Sequence, residues 1–313
     1  MTVTRSQVAL NPIQWINLKP APGQPRLWRY ADPTWRDEQL DVHRTIRDAG
    51  FGAAMMEVLG TQTLQAYKRM LDEAGLRPAP GYIQVAPPEA KGMSLAKGSA
   101  EWVHWFDGVR RRAEESNFMG LDTVFLAAEM DLTAPRVVQA TAVGAFFDQD
   151  LLDRQVEYLA EAATVLQQEG IRAGLHNHVG SLVETEQEIE YVLGQVDASL
   201  LGASFDIGHL EWAGIPSADF LAKHQDRLVD VHVKDLDLTI AAASRETPTP
   251  YYEVSDQRFF LEPGLGDIDL DGVVKALGED FGGWVVLEVD RASMEPDASA
   301  RFSWEWVERT FPA

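Results

Sequence analysis

The chain has 313 residues, of which 45% are hydrophobic, and it carries 27 Lys and Arg against 49 Asp and Glu. The net charge of −22 repels phosphate backbones, so we expect no nucleic-acid partner and favour a neutral sugar or polyol over a sugar phosphate. No cysteine is present, which excludes disulfides and thiolate metal ligands.

The first residues, MTVTRSQVALNPIQW, lack the apolar core of a secretory signal peptide. No run in the chain reaches the roughly 18 apolar residues that a membrane-spanning helix needs. We therefore expect a cytoplasmic protein without a membrane partner, and the composition leaves a homo-oligomer open.

Strands and helices are predicted to alternate along the chain, without a linker or a low-complexity segment. The stretch 19–33 is rich in proline and is predicted to be a loop. The strands are predicted at residues 12–16, 51–57, 77–85, 121–129, 171–178, 201–209, 228–235 and 283–290.

Helices are predicted between these strands, and a last helix is predicted over 298–310. Four of the helices end in a glycine shortly before an apolar run, at Gly50, Gly75, Gly120 and Gly170. Glycine is favoured there because the position after a helix often needs a left-handed backbone. The repeated order of helix, glycine and strand predicts an α/β fold, a single-domain (β/α)8 TIM barrel over residues 1–313.

Three of the predicted strands end in side chains that can bind a metal. The runs IRAGLHNH, LGASFDIGH and LVDVHVKD carry these residues at their C-terminal ends: His176, His178, Asp206, His209, His232, Lys234 and Asp235. The C-terminal ends of parallel strands meet at one mouth of a barrel, where barrel proteins build their sites. Histidine and aspartate arriving there from three strands predict a site for a divalent cation.

His176 and His178 lie two residues apart and therefore share one face of their strand. Only one of them is needed as a metal ligand, and the other suits proton transfer because histidine titrates near neutrality. Lys234 shares a face with His232 in the same way, which predicts a substrate contact or a proton donor. A surface ion pair is the alternative for this lysine.

Acidic residues at other positions allow further interpretations. Glu288 lies within the apolar run VVLEV, where a carboxylate needs a metal or a cationic partner to offset the cost of burial. Glu57 ends the second predicted strand, and both a site-lining role and pairing with a Lys or Arg of the barrel stay open. Four acids in one stretch are predicted to form the solvated first turns of a helix: Glu184, Glu186, Glu188 and Glu190.

The longest irregular segment is predicted at 237–266, after the seventh strand. Loops of this length in compact domains are more often lids or binding elements than spacers. We predict that the segment folds over the barrel mouth, with Tyr251, Tyr252 and Phe259 as an apolar wall.

Four segments of the chain, LHNHVG, FDIGHLEWAG, VHVKD and GWVVLEVD, resemble the sugar phosphate isomerase/epimerase superfamily of xylose isomerase-like TIM barrels. Two others, NPIQW and PGLGDIDLDGVVKAL, resemble its inosose dehydratase branch. The resemblance extends from about Asn11 to Asp290. Each motif is weak alone, but their order and spacing together are specific.

The resemblance implies one divalent ion at the barrel mouth, with Asp206, His232 and Glu288 as ligands. Many relatives place a glutamate on strand five, and His176 occupies that position here. Either His176 or Glu129, which ends strand four, is therefore expected as the fourth ligand. Mn²⁺ is the expected ion, with Co²⁺, Zn²⁺ and Mg²⁺ as alternatives.

The resemblance also implies a small-molecule substrate, a keto cyclitol or a keto sugar. His178 or Glu288 is expected as the base that removes a proton next to the carbonyl, with Lys234 assisting. Contacts with the substrate are expected from the following residues of the mouth: Trp15, Glu57, Asn177 and His209.

The reaction expected from the resemblance is a β-elimination on a keto cyclitol or a 3-keto sugar or glycoside. The alternative is isomerisation or epimerisation of a free ketose at the same metal site. A non-catalytic sugar-binding barrel has no need of four convergent ligands. The DNA-repair endonucleases of the same superfamily would need more histidines and a basic groove, and the sequence has neither.

Overall fold

The computed structural model describes residues 3–17 and 29–313. Short strands alternate with helices through this part of the chain, as the apolar periodicity predicts. The strands are β1 (Val8–Leu10), β2 (Ala53–Met55), β3 (Arg77–Ala79), β4 (Tyr82–Val85), β5 (Thr123–Ala128), β6 (Arg172–His176), β7 (Leu201–Ala203), β8 (Val231–Val233), β9 (Asp235–Leu236), β10 (Phe260–Leu261) and β11 (Val285–Leu287).

The helices surround the strands and bury their apolar faces against them. They are α1 (Pro33–Ala49), α2 (Leu64–Ala74), α3 (Ala100–Trp105), α4 (Asp107–Met119), α5 (Pro135–Val138), α6 (Gln149–Gln168), α7 (Glu186–Gln195), α8 (Ile207–Trp212), α9 (Ser217–Lys223), α10 (Leu238–Glu246), α11 (Tyr251–Ser255), α12 (Leu270–Leu277) and α13 (Pro296–Thr310).

Nine of the described strands form the barrel, and every pairing between them is parallel. One sheet has the order β3-β2-β1-β11-β8 and a second has the order β4-β5-β6-β7. Parallel bridges from Ala203 to Leu228 and from Asp206 to His232 join the β7 side to the β8 side. On the other side, the chain passes from β3 directly into β4. The predicted (β/α)8 TIM barrel is therefore confirmed, with β3 and β4 together filling one of the eight positions.

The first strand lies earlier than the predicted 12–16. Residues Pro12–Trp15 form a 3-10 helix, and the strand that pairs with β2 and β11 is β1. Pro12 has no N–H to donate to a sheet. Asn11 also favours the turn, because its Oδ1 accepts a hydrogen bond from the Ile13 amide at 3.1 Å. The prediction for this strand was wrong.

The predicted strand 77–85 is divided in two. Its first part, β3, pairs with β2, and its second part, β4, pairs with β5. The break falls at Pro80 and Gly81, where proline cannot donate and the chain comes close to β2. A Cβ on Gly81 would lie only 3.2 Å from the Met56 carbonyl oxygen.

The segment 237–266 is not irregular, because it contains α10, α11 and β10. β10 pairs antiparallel with β9. Asp235 holds the turn that closes the segment, since its Oδ2 accepts from the amides of Gly264 and Gly266 at 2.8 and 2.9 Å. Phe259 is fully buried against Trp212, with ring centroids 4.6 Å apart, so it serves the core and does not form a wall of the mouth.

The predicted helix ends agree with the structure at the glycines. Gly50, Gly75, Gly120 and Gly170 all have positive φ, which explains the choice of residue at these positions. The predicted loop 19–33 lies largely outside the described residues. Within the described part of the chain, no helix is long and apolar enough to span a membrane. A cytoplasmic location and a homo-oligomer stay predictions.

Glu184 and Glu188 are buried, so the prediction of a wholly solvated acidic turn was wrong for them. Arg136 pairs with both, at 3.5 Å to Glu184 and 2.8 Å to Glu188. Glu188 Oε2 also accepts from the amides of Glu184 and Thr185, each at 3.0 Å. This cluster ties α5 to the start of α7, close behind the end of β6.

Replacing Glu188 is therefore expected to destabilise the protein strongly. Glu188→Ala leaves the Arg136 charge buried with a weaker partner, and we expect the free energy of unfolding to fall by about 3 kcal/mol or more. The matched control is Glu186→Ala, because Glu186 lies on the same helix but its side chain is 56% exposed. That change should lower the free energy of unfolding by less than about 0.5 kcal/mol. Urea unfolding of both variants measures the difference, and equal losses would contradict a supporting role for the buried cluster.

Candidate active site

A cavity of about 540 Å³ opens at the C-terminal ends of the barrel strands. Its lining combines polar and ionisable side chains with apolar and aromatic ones. The described residues that line it are Asn11, Ile13, Tyr30, Met55, Met56, Glu57, Tyr82, Ile83, Gln84, Arg112, Met130, Leu132, His176, His178, His232, Tyr251, Tyr252, Glu288 and Asp290.

His176, Asp206 and His232 form a cluster at the floor of this cavity. Each offers one ligand atom, and these atoms lie within 4.8 Å of one another, as a metal ion would require. His176 is oriented by its Nδ1, which must donate to the Ser204 carbonyl oxygen at 3.0 Å because that oxygen can only accept. Its Nε2 therefore faces Asp206 Oδ2, 4.0 Å away.

Asp206 is held by three hydrogen bonds that do not use its Oδ2. Its Oδ1 caps α8 by accepting from the His209 amide at 3.0 Å. Asn177 bonds both backbone groups of Asp206, accepting from its N–H at 3.0 Å and donating to its C=O at 3.2 Å. Asp206 Oδ2 is buried, and Lys234 Nζ lies 3.0 Å from it. The aspartate thus serves as a helix cap and as an available ligand.

Lys234 lies beneath the cluster and joins its carboxylates. Its Nζ is 3.0 Å from Asp206 Oδ2 and 2.8 Å from Glu288 Oε1, and it also contacts Asp290. The stem of Lys234 packs over Gly208, where an added Cβ would approach the lysine carbons to 2.8 Å. The glycine of the DIGH motif therefore makes room for the lysine of the HVKD motif.

Glu288 stands beside the three-residue cluster. Its Oε2 lies 3.1 Å from His232 Nδ1 and accepts a hydrogen bond from Asn11. Both of its oxygens are thus engaged by cationic or donor groups. This position fits a carboxylate that supports or completes a metal site better than one that is free to remove a proton.

The charges around the cluster match a divalent cation. Asp206, Glu288 and Asp290 carry three negative charges when ionised, and Lys234 supplies one positive charge. Two further positive charges would make the group neutral. Without a metal, the carboxylates of Glu288 and Asp206 outweigh burial and raise the pKa of His232 to about 9. Two imidazoles and a carboxylate, with a second carboxylate adjacent, are a donor set that suits Zn²⁺, Co²⁺ or Mn²⁺.

His178 lies in the turn after β6 and lines the cavity. Its Nδ1 donates to the Val179 carbonyl oxygen at 2.8 Å, so its Nε2 carries no proton in the neutral ring and can accept one. Burial, with the nearby Lys234 charge, lowers the pKa of His178 to about 4. The centroid of the His178 ring lies 3.9 Å from that of the His209 ring. The His178 ring is also roughly parallel to the ring of Tyr251 in α11. His178 is therefore a neutral, oriented acceptor.

Glu57 lies two residues beyond β2 and lines the cavity. Its wall is three steps around the barrel from β6, with the position of β3 and β4 and that of β5 in between. Burial raises the pKa of Glu57 to about 8, although Arg112 and a hydrogen bond with Tyr30 oppose that rise. At neutral pH this carboxyl mostly retains its proton. The cavity thus has a proton acceptor on one wall and a proton donor on another.

Several expected substrate contacts lie away from the cavity. The Trp15 indole donates to Asp297 Oδ1 at 3.1 Å and packs at the start of α13. Asn177 and His209 are fully buried behind Asp206, and Lys234 is fully buried below it. None of these four lines the cavity among the described residues. Their positions are those of residues that orient or pack the cluster, and their contact with the substrate stays a prediction.

Glu129 does not join the metal cluster, so the structure brings His176 and not Glu129 to the fourth-ligand position. The Glu129 carboxylate pairs with Lys91 at 3.0 Å and is 31% exposed. It lines a second cavity of about 500 Å³, which adjoins the first at Ile83, Gln84 and Arg112. Glu129 follows β5 directly, and its side chain turns away from the barrel axis.

The site residues that were not predicted from the sequence include Asn11, Tyr30, Asp290 and Arg112. Asp290 had a signal, because it follows Glu288 by two residues and so shares its face. Asn11 was named only as a part of the NPIQW motif. Arg112 comes from α4, and no periodicity of that helix indicates that one of its residues reaches the mouth.

The fold and the His176, Asp206 and His232 cluster together define an α/β barrel with a candidate metal site at the C-terminal ends of its strands. The chain belongs to the xylose isomerase-like TIM barrel family, whose model matches residues 44–310. Among curated proteins it is similar to an inosose dehydratase of Geobacillus kaustophilus (strain HTA426). The two are 24% identical over 314 residues, which cover 98% of this chain and 96% of that protein.

Solved structures share the fold at lower identity. The structure of IolI protein with a bound zinc atom is 13% identical and has a TM-score of 0.64, covering 98% of this chain and all of that one. The 3-keto-D-glucoside 4-epimerase YcjR from E. coli is 15% identical with a TM-score of 0.63, covering 97% and 99%. At these identities the likeness concerns the fold.

Proposed function

We propose that this protein is a divalent-metal-dependent lyase that acts on a keto cyclitol or a 3-keto sugar or glycoside. It removes the proton next to the carbonyl and then expels a substituent from the β-carbon. The observation that carries this proposal is one cavity with a His–Asp–His cluster at its floor and the His178 imidazole and Glu57 carboxyl in its lining. The inosose dehydratase named above supports the reaction class, because its substrate is a keto cyclitol by name.

His176, Asp206 and His232 would hold the metal, with Glu288 beside them. When bound, a divalent ion polarises a carbonyl and so acidifies the adjacent C–H. We propose Mn²⁺ as the native ion, with Co²⁺, Zn²⁺ and Mg²⁺ as alternatives. The zinc atom reported for IolI supports a divalent ion at a barrel of this fold.

His178 is the proposed base. His178 lines the cavity, and its Nε2 is the nitrogen that can accept a proton, because Nδ1 donates to the backbone. We propose that it takes the proton from the carbon next to the carbonyl. Glu288 is the weaker choice for this role because Lys234 and His232 engage its oxygens. Lys234 then acts by fixing the carboxylates in place.

Glu57 is the proposed proton donor. An expelled hydroxyl or alkoxyl group must gain a proton, and a carboxyl that is protonated near pH 7 can supply it. Tyr30 and Arg112 lie against Glu57 and would stabilise the carboxylate that remains. The C–O bond breaks as the C=C bond forms, so the products are an unsaturated ketone and water or an alcohol.

Epimerisation is the alternative reaction at the same site. An acceptor and a donor on different walls could remove a proton on one face and return one on the other. The similarity in fold to a 3-keto-glucoside 4-epimerase is compatible with it. Both reactions begin with the same proton transfer and differ in their products.

The test is to incubate the Mn²⁺-loaded protein with a keto-inositol and with a methyl 3-keto-glucoside in deuterated water. A lyase should exchange the α-proton and produce the ultraviolet absorbance of an unsaturated ketone. Exchange and a new stereoisomer without that absorbance would establish the epimerase instead. If neither compound exchanges a proton faster than with chelator-treated protein, the proposed function is wrong.

A further inference from the structure

The cavity is larger than one cyclitol ring needs. A six-carbon keto cyclitol has about twelve non-hydrogen atoms. If each takes about 30 Å³, the volume that one water molecule occupies in the liquid, the cyclitol fills about 360 Å³. The cavity measures about 540 Å³. A ligand of one ring would therefore leave about a third of the space to water, while a ligand with a second group would fill it.

Much of the cavity lining is unsuited to a polyol. The described lining residues include eight with apolar or aromatic side chains, among them thioethers, which adapt to varied flat surfaces: Ile13, Met55, Met56, Ile83, Met130, Leu132, Tyr251 and Tyr252. A cyclitol carries a hydroxyl on nearly every carbon, and hydroxyls placed against such a wall lose hydrogen bonds. An aryl or alkyl group would gain contact there instead.

Two segments contribute four of these side chains. Met130 and Leu132 follow β5 in the connection to α5, and Tyr251 and Tyr252 begin α11. Leu132 is 44% exposed and still lines the cavity, so it lies at its rim. Apolar side chains thus line the cavity from its interior to its rim at Leu132.

From these observations we propose that the apolar part of the cavity is a subsite for an apolar aglycone. The substrate is then a keto-glycoside with an aryl or alkyl group, in preference to a free cyclitol. This inference rests on the proposed function for the chemistry, but the subsite itself is a binding property that can be measured separately.

The experiment compares benzyl and methyl 3-keto-glucosides with a keto-inositol. Benzyl alcohol and methanol are similarly acidic, so the two glycosides differ in apolar contact and not in leaving-group strength. We expect kcat/KM for the benzyl glycoside to exceed that for the methyl glycoside about 10-fold or more, the range typical of added apolar contact in a pocket. A ratio near one would overturn the subsite and leave the proposed function standing.

A variant at the rim tests the location of the subsite. Leu132→Asn keeps the size of the side chain and should reduce the benzyl-to-methyl ratio about 5-fold by removing part of the apolar contact. Phe118→Gln is the matched control, because Phe118 is 41% exposed on α4 and lines neither cavity. It should leave the ratio unchanged. An equal effect of both variants would overturn the location.

Binding measurements separate this inference from the proposed function. Titration calorimetry with the benzyl and methyl glycosides gives their affinities whether or not they react. If none of the compounds exchanges a proton but the benzyl glycoside binds about 10-fold more tightly, the subsite stands and the proposed function fails. If both glycosides react but bind and turn over equally, the proposed function stands and the subsite fails.

Discussion

Asp206→Asn is expected to lower the affinity for a divalent metal at least about 100-fold, because outer contacts of metal sites already cost about 10- to 100-fold when removed. The amide keeps an oxygen that can accept the His209 amide hydrogen and so preserves the cap on α8. It removes the negative charge and the carboxylate Oδ2 that faces His176 and His232. Metal content after dialysis, measured by elemental analysis, and turnover should fall together.

The matched control for this change is Asp237→Asn. Asp237 caps α10 through the Ile240 amide at 3.0 Å, just as Asp206 caps α8, but it lies outside the cluster. It should retain metal and turnover. Full metal occupancy in Asp206→Asn would rule out the cluster as the metal site, and equal loss in both variants would point to helix capping as the cause.

His178→Gln is expected to lose about 10² to 10⁴ in turnover, the usual contribution of a general acid or base. Its metal content should remain that of the unaltered protein, because the ring is absent from the His176, Asp206 and His232 cluster. Exchange of the substrate's α-proton with deuterated solvent should fall by the same factor as turnover. Added metal should restore neither.

Glu57→Gln provides the comparison that separates the two proton transfers. If Glu57 donates to the leaving group, its loss should slow elimination about 10²-fold or more while the α-proton still exchanges, since His178 is intact. His178→Gln should slow both steps. Exchange at the full rate in His178→Gln would remove His178 as the base and make Glu57 or Glu288 the candidate.

Strand-end positions explain why much of the site could be predicted. His176, Asp206 and His232 end apolar runs, and parallel strands bring such ends together whatever the helices between them do. Asp290 could have been added on the same ground, because it shares the face of Glu288. These relations depend on local periodicity alone, which a sequence records directly.

Residues just beyond the strands were predicted less well. Asn177 follows His176 by one residue and therefore points to the opposite side, where it bonds the backbone of Asp206. Glu129 ends an apolar run like the ligands do, yet its side chain turns outward to Lys91. A one-residue difference reverses the direction of a side chain, and the exact strand end is not visible in the sequence.

By itself, the sequence determined the barrel, the order of its elements and the three strand ends that form the candidate metal cluster, because apolar periodicity and glycine-terminated helices are local properties. The tertiary structure decided which side chains face the cavity: Lys234 is buried by three carboxylates, and Arg112 reaches the mouth from a helix. It also decided that α11 places Tyr251 near His178. Such contacts join residues far apart in the chain, and their geometry follows from packing that no short stretch of sequence encodes.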